Sequence, residues 1–269
     1  MPADPLRIGI SPCPNDVFIF AGLILGAVDT GGLALSFDYQ DVETLNRRAQ
    51  TQSDYDLVKI SYANYTHCAR ASDLLDCGGA LGRGVGPLLL SNGASAFDPA
   101  APVLVPGEFT TANFLLDFYA AGRPLAKRFV PFDALYDELK TTPGPAAVQG
   151  VVIHEKRFTF AADGLTLLQD LGEHWERETG FAIPLGALAA RRSLDKARLE
   201  TLIRQSLVWS ETHRVDALAL CRKHAQDLTE SVMAAHIALY VNDYSRDLGD
   251  DGRAAVAFFL DQQRRFLRE

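Results

Sequence analysis

Apolar residues recur along this chain in two rhythms, short runs that suit strands and three-to-four-residue repeats that suit helices. Residues 6–10 are a β-rich run that drops straight into Ser11-Pro12-Cys13-Pro14-Asn15-Asp16, and an apolar stretch over 17–25 follows. The predicted order is strand, stiff loop, helix. Two prolines hold φ at about −65° on either side of Cys13, and Asn15 is placed to cap a helix starting at Asp16. Residues 33–39 and 42–50 predict a second strand and helix, and 55–60 a strand running into Ser61-Tyr62-Ala63-Asn64, another strand-to-helix junction. Strands over 87–91 and 103–105, a helix over 111–121, a strand near 128–131 and a strand over 148–153 continue the pattern. Residues 183–190 read as a last strand or crossover, and beyond Leu194 apolar residues hold helical spacing through Leu199, Leu202, Ile203 and Leu207. This alternation predicts an α/β fold, a largely parallel sheet covered by helices. Asn92-Gly93 reads as a turn rather than a linker, so the pattern alone draws no domain boundary.

Composition narrows the class. At 269 residues, 48% apolar and 22% charged, the chain fits an ordinary globular enzyme, either one large α/β domain or two lobes of roughly 100 to 150 residues. A formal net charge of −8, from 34 acids against 26 scattered bases, argues against a nucleic-acid partner. Cys13, Cys68, Cys77 and Cys221 lack C-x-x-C spacing and paired histidines at zinc-finger intervals, so they read as free thiols in a reducing compartment without a structural metal. The longest apolar run, residues 17–28, is too short to span a bilayer, and it follows a complete strand instead of a basic flank. The expectation is a cytoplasmic protein with no membrane partner.

The candidate chemistry sits at strand ends. In open α/β sheets, small ligands lie beyond the carboxyl ends of strands, against the positive ends of helices. Ser11 and Asn15 in the first junction are therefore candidate ligand contacts, with an ordinary proline-stiffened connection as the alternative. Gly82-Arg83-Gly84-Val85-Gly86 invites a nucleotide reading, but a strand-like Pro87-Leu88-Leu89-Leu90 follows where a dinucleotide fingerprint would open a helix. A loop whose bare backbone approaches a ligand, or a hinge, is the better reading, and no cofactor is expected. Thr110 is the natural N-cap of the helix over 111–121, and Asn113 in place of Glu forms no capping box. That leaves first-turn N–H groups and the Thr111 hydroxyl open to an anion, unless Thr110 simply caps its own helix. Ser61, with Lys59 just before it, holds the same kind of position. Together the junctions at Ser11, Ser61 and Thr110 describe a pocket for a small carboxylate.

His154, at the end of a buried-type strand, is the candidate proton handler, and His67 is its rival. His174, His213, His224 and His236 sit in helix-like stretches and read as surface or packing residues. Glu155 adjoins His154, yet neighbours on a strand point to opposite faces, so it cannot orient the imidazole unless the chain bulges. No Ser or Cys stands out as a nucleophile.

Several motifs taken together carry a resemblance: Ser11-Pro12-Cys13-Pro14-Asn15-Asp16, Asp41-Val42-Glu43-Thr44-Leu45-Asn46, Lys59-Ile60-Ser61-Tyr62, the Gly79 to Pro87 run, Thr110-Thr111, Ile153-His154-Glu155 and Pro184-Leu185-Gly186-Ala187. They are similar to the 1,4-dihydroxy-6-naphthoate synthases of the futalosine route to menaquinone. The likeness runs through Val241-Asn242-Asp243-Tyr244-Ser245 and so covers nearly the whole chain. It implies a two-lobed, periplasmic-binding-protein-like (type II) fold recruited into a cytoplasmic lyase, with the ligand in a cleft between lobes. One lobe would hold residues 1–91 and 181–269, the other 92–180. It further implies cleavage of cyclic dehypoxanthine futalosine into 1,4-dihydroxy-6-naphthoate and dihydroxyacetone, with His154 as base. Lys59, Ile60, Ser61, Thr110 and Thr111 would touch the substrate. His154 is expected near its ordinary pKa of about 6.5, facing the threonine pair across the cleft. Phe109 departs from the family, where a polar residue, often His, precedes those threonines. A homodimer stays open, as do two other functions: a chorismate dehydratase of similar fold, and a small-anion receptor without chemistry.

Overall fold

The computed structural model describes residues 4–51, 55–141, 147–225 and 228–266. Its first half runs β1 (Leu6–Ile10), α1 (Pro14–Ile24), β2 (Leu35–Tyr39), α2 (Val42–Thr51) and β3 (Leu57–Ser61). A 3-10 turn (Tyr62–Asn64), α3 (Tyr65–Cys68), β4 (Ser72–Leu74) and β5 (Ala80–Gly82) follow. Next come β6 (Leu88–Ser91), β7 (Val103–Val105), α4 (Thr111–Tyr119), β8 (Lys127–Phe129), α5 (Phe132–Thr141) and β9 (Gln149–Val152). A second 3-10 turn (His154–Phe158), β10 (Thr166–Asp170), α6 (Leu171–Thr179) and β11 (Ile183–Arg191) lead into α7 (Lys196–Thr212), α8 (Arg214–His224), α9 (Glu230–Tyr240), α10 (Asp243–Arg246) and α11 (Gly249–Phe266).

The strands form two sheets, ordered β2-β1-β3-β11-β4 with β5 paired to β11, and β10-β6-β9-β7-β8. The expected largely parallel sheet is replaced by two mixed ones. β1 pairs β2 and β3 in parallel, as β7 does β8 and β9. β11 runs antiparallel to β3, β4 and β5, and β6 antiparallel to β9 and β10. The cause is the return path: β11 comes back from the second sheet and enters the first from the opposite direction.

Side-chain alternation distributes the strands between cores. Val103 and Val105 of β7 join Leu89 and Val151 in a central core that also takes Ile60 and Ala187, while Leu104 packs with Leu88, Leu90, Val152 and Leu135 under α5. Ile8 and Ile10 of β1 face the other way, into a core built with α1, α7, α8 and α9 through Phe18, Ile203, Ala217 and Ile237. Strands buried on both faces read as unbroken apolar runs, which is why they stand out in the sequence.

The chain leaves the first sheet through residues 83–87 and returns through 180–182. Leu88–Ser91 belongs to the second sheet, so the first crossing precedes the boundary at residue 92 that the resemblance implies. Gly86 sits where backbones touch: a Cβ there would lie 2.3 Å from the Gly172 Cα at the start of α6. The Gly82 to Gly86 segment is thus a crossing between sheets.

Candidate active site

A single cleft collects residues from the ends of β1, β3, β9 and β11, the first crossing, and the N-termini of α1 and α4. It brings together Ser11, Asn15, Lys59, Ser61, Thr110, Thr111 and His154. Ile60 is not part of it: its side chain is fully buried in the central core, because alternation along β3 turns it away from Lys59 and Ser61.

The first wall is built around a buried ion pair. Lys59 Nζ lies 2.5 Å from Asp16 Oδ1, with side chains only 6% and 3% exposed. Two charges this deep are tolerated only when their remaining valences are met. Here Asp16 Oδ2 accepts from the Ser11 hydroxyl at 2.7 Å and its backbone N–H, and Asp16 Oδ1 accepts from Asn15 Nδ2 at 2.9 Å. Asn15 is not the expected helix cap. α1 opens two residues earlier, with Cys13 in extended geometry at the N-cap and Pro14 in the first turn, where a missing N–H costs nothing. That places Asn15 inside the first turn, with its Oδ1 3.0 Å from His236 Nε2.

The opposite wall carries the α4 N-terminus. Thr110 Oγ1 accepts from the Asn113 N–H and donates to the Gly107 carbonyl, while Thr111 Oγ1 donates to the Leu185 carbonyl at 2.9 Å. Both hydroxyls are therefore engaged in holding the wall. What the helix end presents to an anion is its dipole and the N–H groups of Thr111 and Ala112, which have no intrahelical acceptor. Ser61 is clamped by Asn46, whose amide donates to Ser61 Oγ and accepts from its N–H.

His154 does not end a strand. β9 stops at Val152, and His154 opens the 3-10 turn with φ of 58°, in the left-handed region where a residue with a Cβ is strained. Its Nδ1 lies 3.5 Å from Cys13 Sγ, so the group that holds the ring is the thiol from the other sheet's first junction. The edge of Phe132 packs against the imidazole at 5.2 Å. Its pKa departs from the expected value. Burial, the largest influence, disfavours the imidazolium, but the Cys13 sulfur, Glu155 and Asp16 outweigh it and push the pKa up to about 9. Glu155 thus acts through its charge.

Three residues were missed by sequence reasoning. Asp16 reads from the sequence only as a helix start, because its lysine partner lies 43 residues away and no local spacing joins them. Arg157 lines the cleft and donates to the Gly86 carbonyl at 2.7 Å. His236, expected at the surface or in packing, is a 1% exposed wall of the cleft. Burial first, and then the His154 charge, push its pKa down to about 3, so it is neutral. His67, His174, His213 and His224 lie outside the cleft, and Phe109 turns away from it toward Arg47 and His67.

Two mixed sheets, two chain crossings and a cleft walled by strand ends and a helix N-terminus define the two-lobed, periplasmic-binding-protein-like class of α/β folds. The alkanesulfonate-binding protein SsuA from Xanthomonas axonopodis pv. citri bound to MOPS shares that fold, with a TM-score of 0.67 at 14% identity over 98% of this chain and 94% of that one. Protein AF1704 from Archaeoglobus fulgidus is similar at a TM-score of 0.89 and 27% identity, covering 98% of each chain. The profile of the menaquinone biosynthesis family matches residues 6–265. A 1,4-dihydroxy-6-naphtoate synthase from Thermus thermophilus is 43% identical over 258 residues, 94% of this chain and 92% of its own. One from Streptomyces coelicolor is 40% identical over 269 residues, 97% and 93% of the two chains. The chain belongs to the menaquinone biosynthesis family.

Proposed function

We propose that this protein is a carbon–carbon lyase that converts cyclic dehypoxanthine futalosine to 1,4-dihydroxy-6-naphthoate and dihydroxyacetone in the cytoplasm, with His154 as general base. The observation that carries the reading is the pairing of His154 with Cys13 in a cleft whose far wall is the α4 N-terminus. The names of the two relatives at 43% and 40% identity support the naphthoate product of this reading. In this reading the naphthoate carboxylate meets the N–H groups of Thr111 and Ala112, and the buried Lys59–Asp16 pair fixes the neighbouring wall. Cys13 occupies Nδ1 and leaves Nε2 for proton transfer. His154 takes a proton from the sugar-derived part of the substrate as a carbon–carbon bond breaks in the retro-aldol sense, and aromatisation of the ring drives the step.

The test is direct. Purified protein mixed with cyclic dehypoxanthine futalosine should generate naphthoate absorbance and dihydroxyacetone together. His154→Ala should lower kcat by about 10² to 10⁴ while substrate affinity stays within about threefold. Full turnover in that variant would remove His154 from the mechanism, and dehydration of chorismate in place of futalosine cleavage would assign the sister activity. Binding of the substrate without any turnover would make the protein a receptor.

A further inference from the structure

The hydrogen-bond directions in the first wall fix one proton that no single contact would fix. Asp16 is paired to Lys59 and can only accept, so the Asn15 amide must turn its NH2 toward it. Asn15 Oδ1 then faces His236 Nε2 at 3.0 Å. Two acceptors cannot share that contact, so Nε2 carries the hydrogen. In a neutral imidazole the other nitrogen is then a bare lone pair. His236 Nδ1 is that atom, and it has no hydrogen-bond partner among the described residues. Buried acceptors are rarely left unmet, and this one, itself closed to solvent, is carried by a residue that lines the cleft, which points to a ligand. Burial and the neighbouring His154 charge both oppose a second proton on the ring.

We infer that His236 is a substrate-binding residue whose Nδ1 accepts a hydrogen bond from a hydroxyl of the ligand. An acceptor-only atom cannot take a carboxylate, so the anionic end belongs at the α4 N-terminus and an O–H end at His236. α9, which carries His236, packs against the 3-10 turn that carries His154. The hydroxylated, sugar-derived part of the substrate is thereby brought to the proposed base. The identity of that hydroxyl rests on the functional reading above, whereas the bare Nδ1 does not.

Protein labelled with 15N-histidine tests the tautomer without any variant. The His236 signals, assigned by their loss in His236→Gln, should show a bare Nδ1 and a protonated Nε2 from about pH 5.5 to about pH 8.5, and adding cyclic dehypoxanthine futalosine to the His154→Ala protein, which should barely turn it over, should shift Nδ1 as it gains a donor. A protonated Nδ1, or a ring titrating within that range, would overturn the inference. Kinetics supply the second arm. His236→Gln keeps an amide at the Nε2 position and removes the acceptor, so KM should rise about tenfold with kcat changed less than about threefold. His236→Asn returns an amide oxygen to the Nδ1 position and should recover most of that loss. An unchanged KM in an active His236→Gln enzyme would defeat the inference while leaving the functional reading intact. A wild type that binds cyclic dehypoxanthine futalosine through Nδ1 yet cleaves nothing would do the reverse.

Discussion

Two imidazoles in one cleft are driven in opposite directions by their surroundings. Against the pull of burial, Cys13 Sγ, Glu155 and Asp16 draw a proton onto His154, whereas burial first and then the His154 charge keep a second proton off His236, whose Nε2 faces Asn15 Oδ1. As a base, His154 must be neutral, so kcat/KM should rise with pH toward the raised value of about 9. Cys13→Ala removes the strongest influence opposing burial, so the rising limb should move to lower pH by about a unit or more. A pH–rate profile with the limb unmoved would show that the thiol does not set the proton affinity. At this scale the sequence disclosed residues whose role is local. Ser11, Lys59, Thr110 and His154 stand at or beside strand ends and caps, where spacing alone marks them. The partners that give them meaning are remote: Asp16 is 43 residues from Lys59, Cys13 is 141 from His154, and Asn15 is 221 from His236. No periodicity carries such pairings, and the left-handed backbone at His154 has no signature beyond the residue itself.

Between elements, the first crossing is the most constrained contact. A Cβ on Gly86 would fall 2.3 Å from the Gly172 Cα and 2.5 Å from its nitrogen, both backbone atoms that cannot swing aside. Gly86→Ala must therefore push the start of α6 away from β6. Since Gly86 lines the cleft and its carbonyl accepts from Arg157, the shift should reach the site. We expect a loss of about 1 to 3 kcal/mol in chemical denaturation together with a higher KM. Gly93→Ala, whose added Cβ would find its nearest neighbour at an ordinary 3.5 Å, should stay within about 0.5 kcal/mol and serves as the control. Equal effects at the two positions would refute a close-approach role for Gly86. The strands buried on both faces were plain in the sequence. β4 (Ser72-Asp73-Leu74) and β5 (Ala80-Leu81-Gly82) lack the valines that mark the equally short β7, and their antiparallel pairing depends on where β11 returns. α5 carried a legible signal, Phe132, Leu135, Tyr136 and Leu139 at helical spacing, that the strand-centred reading passed over.

For the whole molecule, the protons on these two rings are folding protons. His154 binds its proton more tightly when folded, at about 9 against an ordinary value of about 6.5, so its contribution to stability is complete below about pH 6.5 and is lost as pH rises through about 9. His236 is the reverse. With a folded value of about 3, its contribution is complete above about pH 6.5 and is lost as pH falls through about 3. Thermal unfolding followed across pH should show both limbs, with His154→Gln flattening the alkaline one and His236→Gln the acid one. A wild-type curve whose alkaline limb is unchanged in His154→Gln would mean that the Cys13 contact holds no imidazolium. The alkaline limb also couples the two sheets, because Cys13 extends from the first and His154 follows the last residue of β9 in the second. Removing the proton frees the base for catalysis and weakens the charge that ties it to the facing wall. Activity should therefore climb over the same pH interval in which the substrate-free protein loses stability, and parallel kinetic and unfolding titrations that failed to cross in this way would separate the two roles assigned to His154.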